Sequence, residues 1–150
     1  MVSTANPALR SLDLWGGLIA DGHHVEPSVL RIALRAKRGR GRLFLVTDAM
    51  PPAASDRDTF TLAGRTARRV AGRLSLDDGT LAGSDLTMDG AVRFAAAHLD
   101  VTLAEALRMA SLYPAEFLGL DRGRIAAGAA ADLVWLDDDL VARRTWVGGA

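Results

Sequence analysis

Cysteine is absent from the 150 residues, which excludes disulfides, cysteine–zinc sites and thiol catalysis. A cationic surplus is absent too: 18 basic and 18 acidic residues cancel. Phosphate-backbone contacts need net positive charge, so a nucleic-acid or polyanion binder is disfavoured. No apolar run approaches the roughly 18 residues of a membrane span, and the basic and apolar regions of a signal peptide are missing from the start. A soluble cytoplasmic protein is the expectation. Lysine occurs once, at Lys37, against 17 arginines (18 Lys+Arg minus one), a bias that points to a GC-rich genome rather than to function. What is present is ample apolar material: 49% hydrophobic and 24% charged residues suit one domain with a filled core.

Residues 1–10 have no period and read as a lead-in. Leu14 to Ala20 (L-W-G-G-L-I-A) is too short for a helix and suits a buried strand. Asp21-Gly22-His23-His24 follows it. Pro27 stands where a first helical turn tolerates proline, and Leu30, Ala33, Leu34 and Lys37 fall on one stripe, so a helix is expected from about Pro27 to Arg38, ended by Gly39 and Gly41. Leu43 to Thr47 (L-F-L-V-T) reads as a second strand, buried on both faces as in a parallel sheet. Strand, helix, strand is a βαβ unit, and ligands in such units bind at the carboxyl ends of the strands. His23, His24 and Asp48 lie there.

From Thr59 to Leu81 short segments broken by glycines suggest a small antiparallel excursion, with Asp78-Gly79 as a tight turn. Leu81 to Asp85 reads as a loop entering a helix whose apolar stripe is Met88, Ala91, Val92, Ala95 and Leu99. Thr102 and Glu105 form a capping-box pattern for a second helix to about Ser111. Pro114 opens a further helical turn ending at Gly119. Leu133 to Leu136 reads as a strand, and Arg144 to Val147 as another. The glycine-rich bend from Arg122 to Gly128 is the candidate boundary.

Two polar residues stand out. His24 is either a capping or packing histidine at a strand end or a functional group, as a substrate hydrogen-bond donor or a metal ligand. Adjacent histidines on an extended segment point apart, so at most one of His23 and His24 faces a pocket. Asp48 is either an Asx-type turn or helix cap, or a general base, because a carboxylate there could move protons to and from water and a leaving amine. Gly83 and Ser84 could offer backbone N–H groups at a helix start. Asp21, Glu26, Asp56, Asp58, Asp77, Asp78 and Asp137 to Asp139 read as turn and surface carboxylates, and His98 as a surface residue. No GxSxG, P-loop or HExxH motif occurs.

Five stretches, L-W-G-G-L-I-A-D-G-H-H-V, L-F-L-V-T-D-A-M-P-P, G-T-L-A-G-S-D-L-T-M, L-R-M-A-S-L-Y-P-A and G-R-I-A-A-G-A-A-A-D-L-V-W-L-D, resemble in order the C-terminal part of the N-acetylglucosamine-6-phosphate deacetylase family of metal-dependent amidohydrolases. The resemblance implies an α/β fold: a partial (β/α)8 TIM barrel, its last two strands with their helices, plus part of a small β-sandwich. Residues 1–120 would be the barrel part, with the β excursion at about 59–81, and residues 121–150 the returning sandwich strands. It implies that Asp48 is the catalytic general acid/base, that His24 binds and orients the substrate, and that Leu81, Ala82 and Gly83 close over the sugar. The implied reaction hydrolyses N-acetyl-D-glucosamine 6-phosphate to D-glucosamine 6-phosphate and acetate, with a divalent metal (zinc or similar) as cofactor.

The family's metal ligands, a glutamate and two histidines, lie upstream of these motifs and are missing here. The expectation is therefore a fragment that is inactive alone, completed by a complementary N-terminal chain or associated as a homodimer. The competing reading is a non-catalytic remnant that binds a sugar phosphate or a partner subunit. Dihydroorotase-like and adenine-deaminase-like enzymes share the aspartate and the G-x-x-A-D-L-V tail, but not A-D-G-H-H-V together with L-A-G-S-D-L-T-M.

Overall fold

A computed structural model describes residues 14–150; the lead-in at 1–10 lies outside them. The expected βαβ unit is present. Strand β1 (Gly16–Ile19) and strand β2 (Leu43–Val46) pair in parallel, joined by helix α1 (Pro27–Ala36). Proline sits in the first turn of α1, and Leu30 and Ala33 supply its buried face. The helix ends earlier than its stripe predicts. Lys37 is already extended (ψ 126°), so the two glycines follow the stop rather than make it.

Strand β2 departs from the both-faces-buried expectation. Leu43 and Leu45 are buried, while Phe44 and Val46 on the opposite face are half-buried. The first face joins a core to which α1, α2 (Met88–His98) and α3 (Leu103–Ala110) contribute buried residues. Leu18, Leu30, Leu45, Val92, Leu99 and Met109 are the larger members of that core. At roughly 25 cal/mol per Å² of apolar area, each such side chain contributes about 1.5–3 kcal/mol. On the other face Phe44 meets Phe117 with ring centroids 5.3 Å apart, and Trp15 meets Phe117 at 5.8 Å.

Four strands, β3 (Thr59–Leu62), β4 (Arg65–Val70), β5 (Arg73–Leu76) and β6 (Leu81–Ser84), form the expected antiparallel excursion in the order β3-β4-β5-β6. The β3–β4 and β4–β5 turns are Ala63-Gly64 and Ala71-Gly72, with φ of 49° and 80°, and of 51° and 76°. Two successive positive φ values in a two-residue loop match the twist of the strands it joins. Leu81–Ser84 is a strand and not the loop that its glycine suggested. It pairs with β5 and, through Ser84, bridges in parallel to Ala49.

Thr87 and Thr102 cap α2 and α3, accepting from the backbone N–H groups of Gly90 (3.3 Å) and Glu105 (3.2 Å). The Glu105 carboxylate accepts from the Tyr113 hydroxyl (2.7 Å) and from Arg108 (2.9 Å). Helix α4 (Leu112–Phe117) follows directly, with Pro114 as its third residue and not its opening one. A hairpin of β7 (Leu133–Leu136) and β8 (Ala142–Trp146) closes the chain. It is tied to α2 where the Asp89 carboxylate accepts from Ala142 N–H (3.2 Å) and Arg93 donates to the Leu140 carbonyl (2.7 Å). Among the described residues no helix is long and apolar enough to cross a membrane.

Candidate functional site

Strands β1 and β2 run in register, Ile19 beside Val46. The segments leaving their carboxyl ends therefore start side by side, one carrying Asp21 to His24 and the other Asp48.

The first segment is a bend and not the extended strand that the two histidines had suggested. Asp21 makes it so. Its Oδ1 accepts from the backbone N–H groups of His23 (2.9 Å) and His24 (3.0 Å), an Asx-type wrap, and its Oδ2 lies 2.7 Å from His24 Nδ1. Asp21 is thus a correction to the surface assignment, with a side chain only 8% exposed. Burial pushes its carboxyl pKa up, but the hydrogen bonds from His24 and His23 outweigh that and hold it below the ordinary value. The sequence signal was D-x-x-H: a short acceptor placed to wrap the chain and meet the ring three residues on. His23 points out to solvent, beside the β4–β5 turn, and only His24 faces inward.

Asp48 has φ 52°, in the left-handed region that aspartate tolerates better than most residues. Two backbone hydrogen bonds fix it there. Ser84 N–H donates to the Asp48 carbonyl (3.0 Å), and Met50 N–H donates to the Ser84 carbonyl (2.9 Å). This corrects the expectation for Ser84: its N–H is engaged by Asp48 and cannot serve a ligand at a helix start. The Asp48 side chain is 54% exposed, and its Oδ2 lies 3.8 Å from His24 Nε2. It faces solvent yet stays beside both His24 and the end of β6.

Of the three residues expected to cover the ligand, Gly83 lies closest to Asp48. A Cβ at Gly83 would stand 2.3 Å from Met50 Cγ and 3.5 Å from the Asp48 carbonyl. Ala82 is buried, and Leu81 is half-buried at the far end of β6, paired with Ser75. Sequence reasoning missed Arg69. Its guanidinium pairs with Asp85 (Nε to Oδ2 2.8 Å, Nη2 to Oδ1 3.0 Å) and donates to the carbonyls of Ser55 and Pro52. It ties the excursion to the loop after Asp48 and to the residue after Ser84. A single arginine in R-R-V carries no motif, so only the three-dimensional arrangement discloses it.

His24 and Asp48 can exchange protons with, and orient, a polar ligand. They do not make a metal centre. His24 Nδ1 is engaged by Asp21, leaving one ring nitrogen and one carboxylate facing outward. Among the described residues no three histidine, aspartate or glutamate side chains group to hold an ion.

Residues 8–150 match the amidohydrolase family. Over 143 residues the chain is 43% identical to the N-acetylgalactosamine-6-phosphate deacetylase of Shewanella sp. (strain ANA-3), covering 95% of this chain and 36% of that protein. The crystal structure of N-acetylglucosamine-6-phosphate deacetylase from Pasteurella multocida superposes with a TM-score of 0.86 at 35% identity, over 94% of this chain and 37% of that one. The chain spans about a third of the length of these two relatives. A relative from Escherichia coli (strain K12) is shorter: 39% identity over 137 residues covers 90% of this chain and 81% of that protein. This chain belongs to the amidohydrolase family and is similar, within it, to deacetylases of N-acetylated hexosamine 6-phosphates.

Proposed function

We propose that the chain supplies the proton-transfer end of a deacetylase site for an N-acetylated hexosamine 6-phosphate. The substrate read from the sequence is N-acetyl-D-glucosamine 6-phosphate, giving D-glucosamine 6-phosphate and acetate. The observation that carries the reading is Asp48 at the carboxyl end of β2, 3.8 Å from His24 and braced by the end of β6. In this reading β1 and β2 are the last two strands of a (β/α)8 barrel, residues 1–120 are its C-terminal part, and residues 121–150 are returning sandwich strands.

The chain's own residues account for the proton movements. Asp48 takes a proton from the attacking water as its oxygen bonds to the acetyl carbon. It returns that proton to the nitrogen as the C–N bond breaks, so acetate leaves and the amine is released. His24 holds the polar group opposite Asp48 so that the attack is aligned. Leu81 to Gly83 cover the sugar. Amidohydrolases are generally metal-dependent, and the donor set among the described residues does not fit a metal by itself. The ligands would come from residues outside these 150, and these 150 residues alone do not turn over.

A second reading has the chain bind a sugar phosphate without catalysis. One experiment separates them. The purified chain is assayed for acetate release from the N-acetyl 6-phosphates of glucosamine and of galactosamine. The assay is run with zinc, alone and with the N-terminal two-thirds of a similar deacetylase added. The proposal expects turnover only in the mixture, abolished by Asp48→Asn. Turnover by the chain alone would refute its inactivity. No turnover in the mixture, together with binding of glucosamine 6-phosphate without metal, would favour the non-catalytic reading. The ratio for the two sugars decides between the epimers, both of which occur among the relatives.

A further inference from the structure

The polarity of His24 follows from its neighbour. Asp21 Oδ1 is saturated by two backbone N–H groups, and Oδ2 is left to meet His24 Nδ1 at 2.7 Å. An ionised carboxylate only accepts hydrogen bonds. Asp21 is ionised at neutral pH, since its hydrogen bonds hold it below the usual aspartate value. The proton of that contact therefore sits on Nδ1.

We infer that Asp21 is a positioning residue that holds neutral His24 as its Nδ1–H tautomer and so makes Nε2 a hydrogen-bond acceptor facing Asp48. This reverses the donor role that the sequence suggested for His24. It rests on the reading of Asp48 and His24 as one site, and it adds the class of group that site takes. Nε2 and Asp48 Oδ2 stand 3.8 Å apart, too far for a hydrogen bond between them, and both are acceptors. A donor about 2.8 Å from each fits between them if it carries two hydrogens. Water and a primary amine both qualify, and they are the attacking and departing groups of an amide hydrolysis.

Replacing Asp21 by asparagine sharpens the test. The asparagine oxygen must stay where Oδ1 is, because turning the amide would set its NH2 against two backbone N–H donors. The NH2 then occupies the Oδ2 position and can only donate. His24 Nδ1 must offer a lone pair, and its proton moves to Nε2. The same exchange of tautomer explains why an aspartate-to-asparagine change beside a catalytic histidine can leave geometry intact and still disable the site.

The experiment is long-range proton–nitrogen correlation NMR on the whole 15N-labelled chain at about pH 8, above the ordinary imidazole range. The chain has only three histidines, and His23→Gln and His98→Gln assign the His24 signals. The expected wild-type spectrum has a protonated-type Nδ1 and an unprotonated-type Nε2 for His24, with the two types exchanged in Asp21→Asn. Exposed His23 and His98 keep their own shifts in both proteins. An Nε2–H tautomer in the wild type, or a doubly protonated ring at that pH, overturns the inference. So does an unchanged His24 in a folded Asp21→Asn protein. If that variant unfolds, the wild-type spectrum decides alone. None of these outcomes depends on deacetylase turnover, so the inference and the proposed function fail separately.

Discussion

Gly83→Ala tests whether the end of β6 holds Asp48 in place. Gly83 has φ +85°, and an added Cβ would stand 2.3 Å from Met50 Cγ and 2.9 Å from its Sδ. A left-handed conformation costs an L-residue about 1–2 kcal/mol. Ala54, Ala63 and Ala71 adopt φ of 49–56° in this molecule, so alanine tolerates that region, although Gly83 lies well beyond those values. Displacing Met50 adds about 1–3 kcal/mol of overpacking. The sum is about 2–5 kcal/mol. For a chain of this size each kcal/mol lowers Tm by about 2–4 °C, so a fall on the order of 10 °C is expected by calorimetry. Met50→Ala removes the clashing Cγ. The double variant should therefore recover part of the loss, with a coupling of about 1–2 kcal/mol in a double-mutant cycle. Amide shifts of Asp48, Met50 and Ser84 should move together, since two backbone hydrogen bonds join them. A Gly83→Ala protein within about 0.5 kcal/mol of wild type, or strict additivity with Met50→Ala, would refute the reasoning.

The two Ala-Gly turns carry alanine at left-handed φ, where asparagine is more at ease. Ala63→Asn and Ala71→Asn should each raise stability by about 0.5–1 kcal/mol in urea unfolding. Asp89 supplies a pH prediction. Burial pushes its carboxyl up, but hydrogen bonds from Thr87, Arg93 and the backbone of Ala142 and Gly90 hold it at about 2, below its ordinary 3.8. A folded pKa below the unfolded one adds stability above pH 3.8 that is lost as pH falls through about 2. Asp89→Asn should remove about 1–2 kcal/mol near neutrality and flatten that part of the acid-unfolding curve, read by circular dichroism against pH.

The parts of this fold that sequence conveyed are those in which one short stretch settles the matter. L-F-L-V-T is too apolar and too short to be anything but a strand, and Pro27 with Leu30 and Ala33 places α1. Asp48 was visible because it interrupts such a run. Where geometry depends on a distant partner, the structure departs from the local sequence pattern. L-A-G-S has little intrinsic strand preference and becomes β6 by pairing with β5 and bridging to Ala49. The Ala-Gly turns lack the asparagine or aspartate that marks such loops. Asp21 reads as a surface turn residue because aspartates are usually exposed, whereas its two oxygens are consumed by the bend they create.

Strand register is what brings the three polar groups of the site together. With Ile19 beside Val46, Asp21 and Asp48 each stand two residues past the end of a neighbouring parallel strand. Equivalent positions on adjacent strands, about 4.8 Å apart, would set two carboxylates against each other. The bend made by Asp21 prevents this. It turns that carboxylate inward onto His24 and puts the imidazole between the two acids, with Nδ1 toward Asp21 and Nε2 toward Asp48, so the ring keeps the like charges apart. The left-handed turn at Asp48 carries the second carboxylate outward toward solvent. A slip of one residue would move Asp48 by about 3.3 Å and reverse its face. Gly17 permits the observed register, since any side chain there would meet Val46 Cγ1 at 2.9 Å. The glycine is therefore as much a part of the site as the acids, because it lets Val46 settle in the one register that opposes His24 to Asp48.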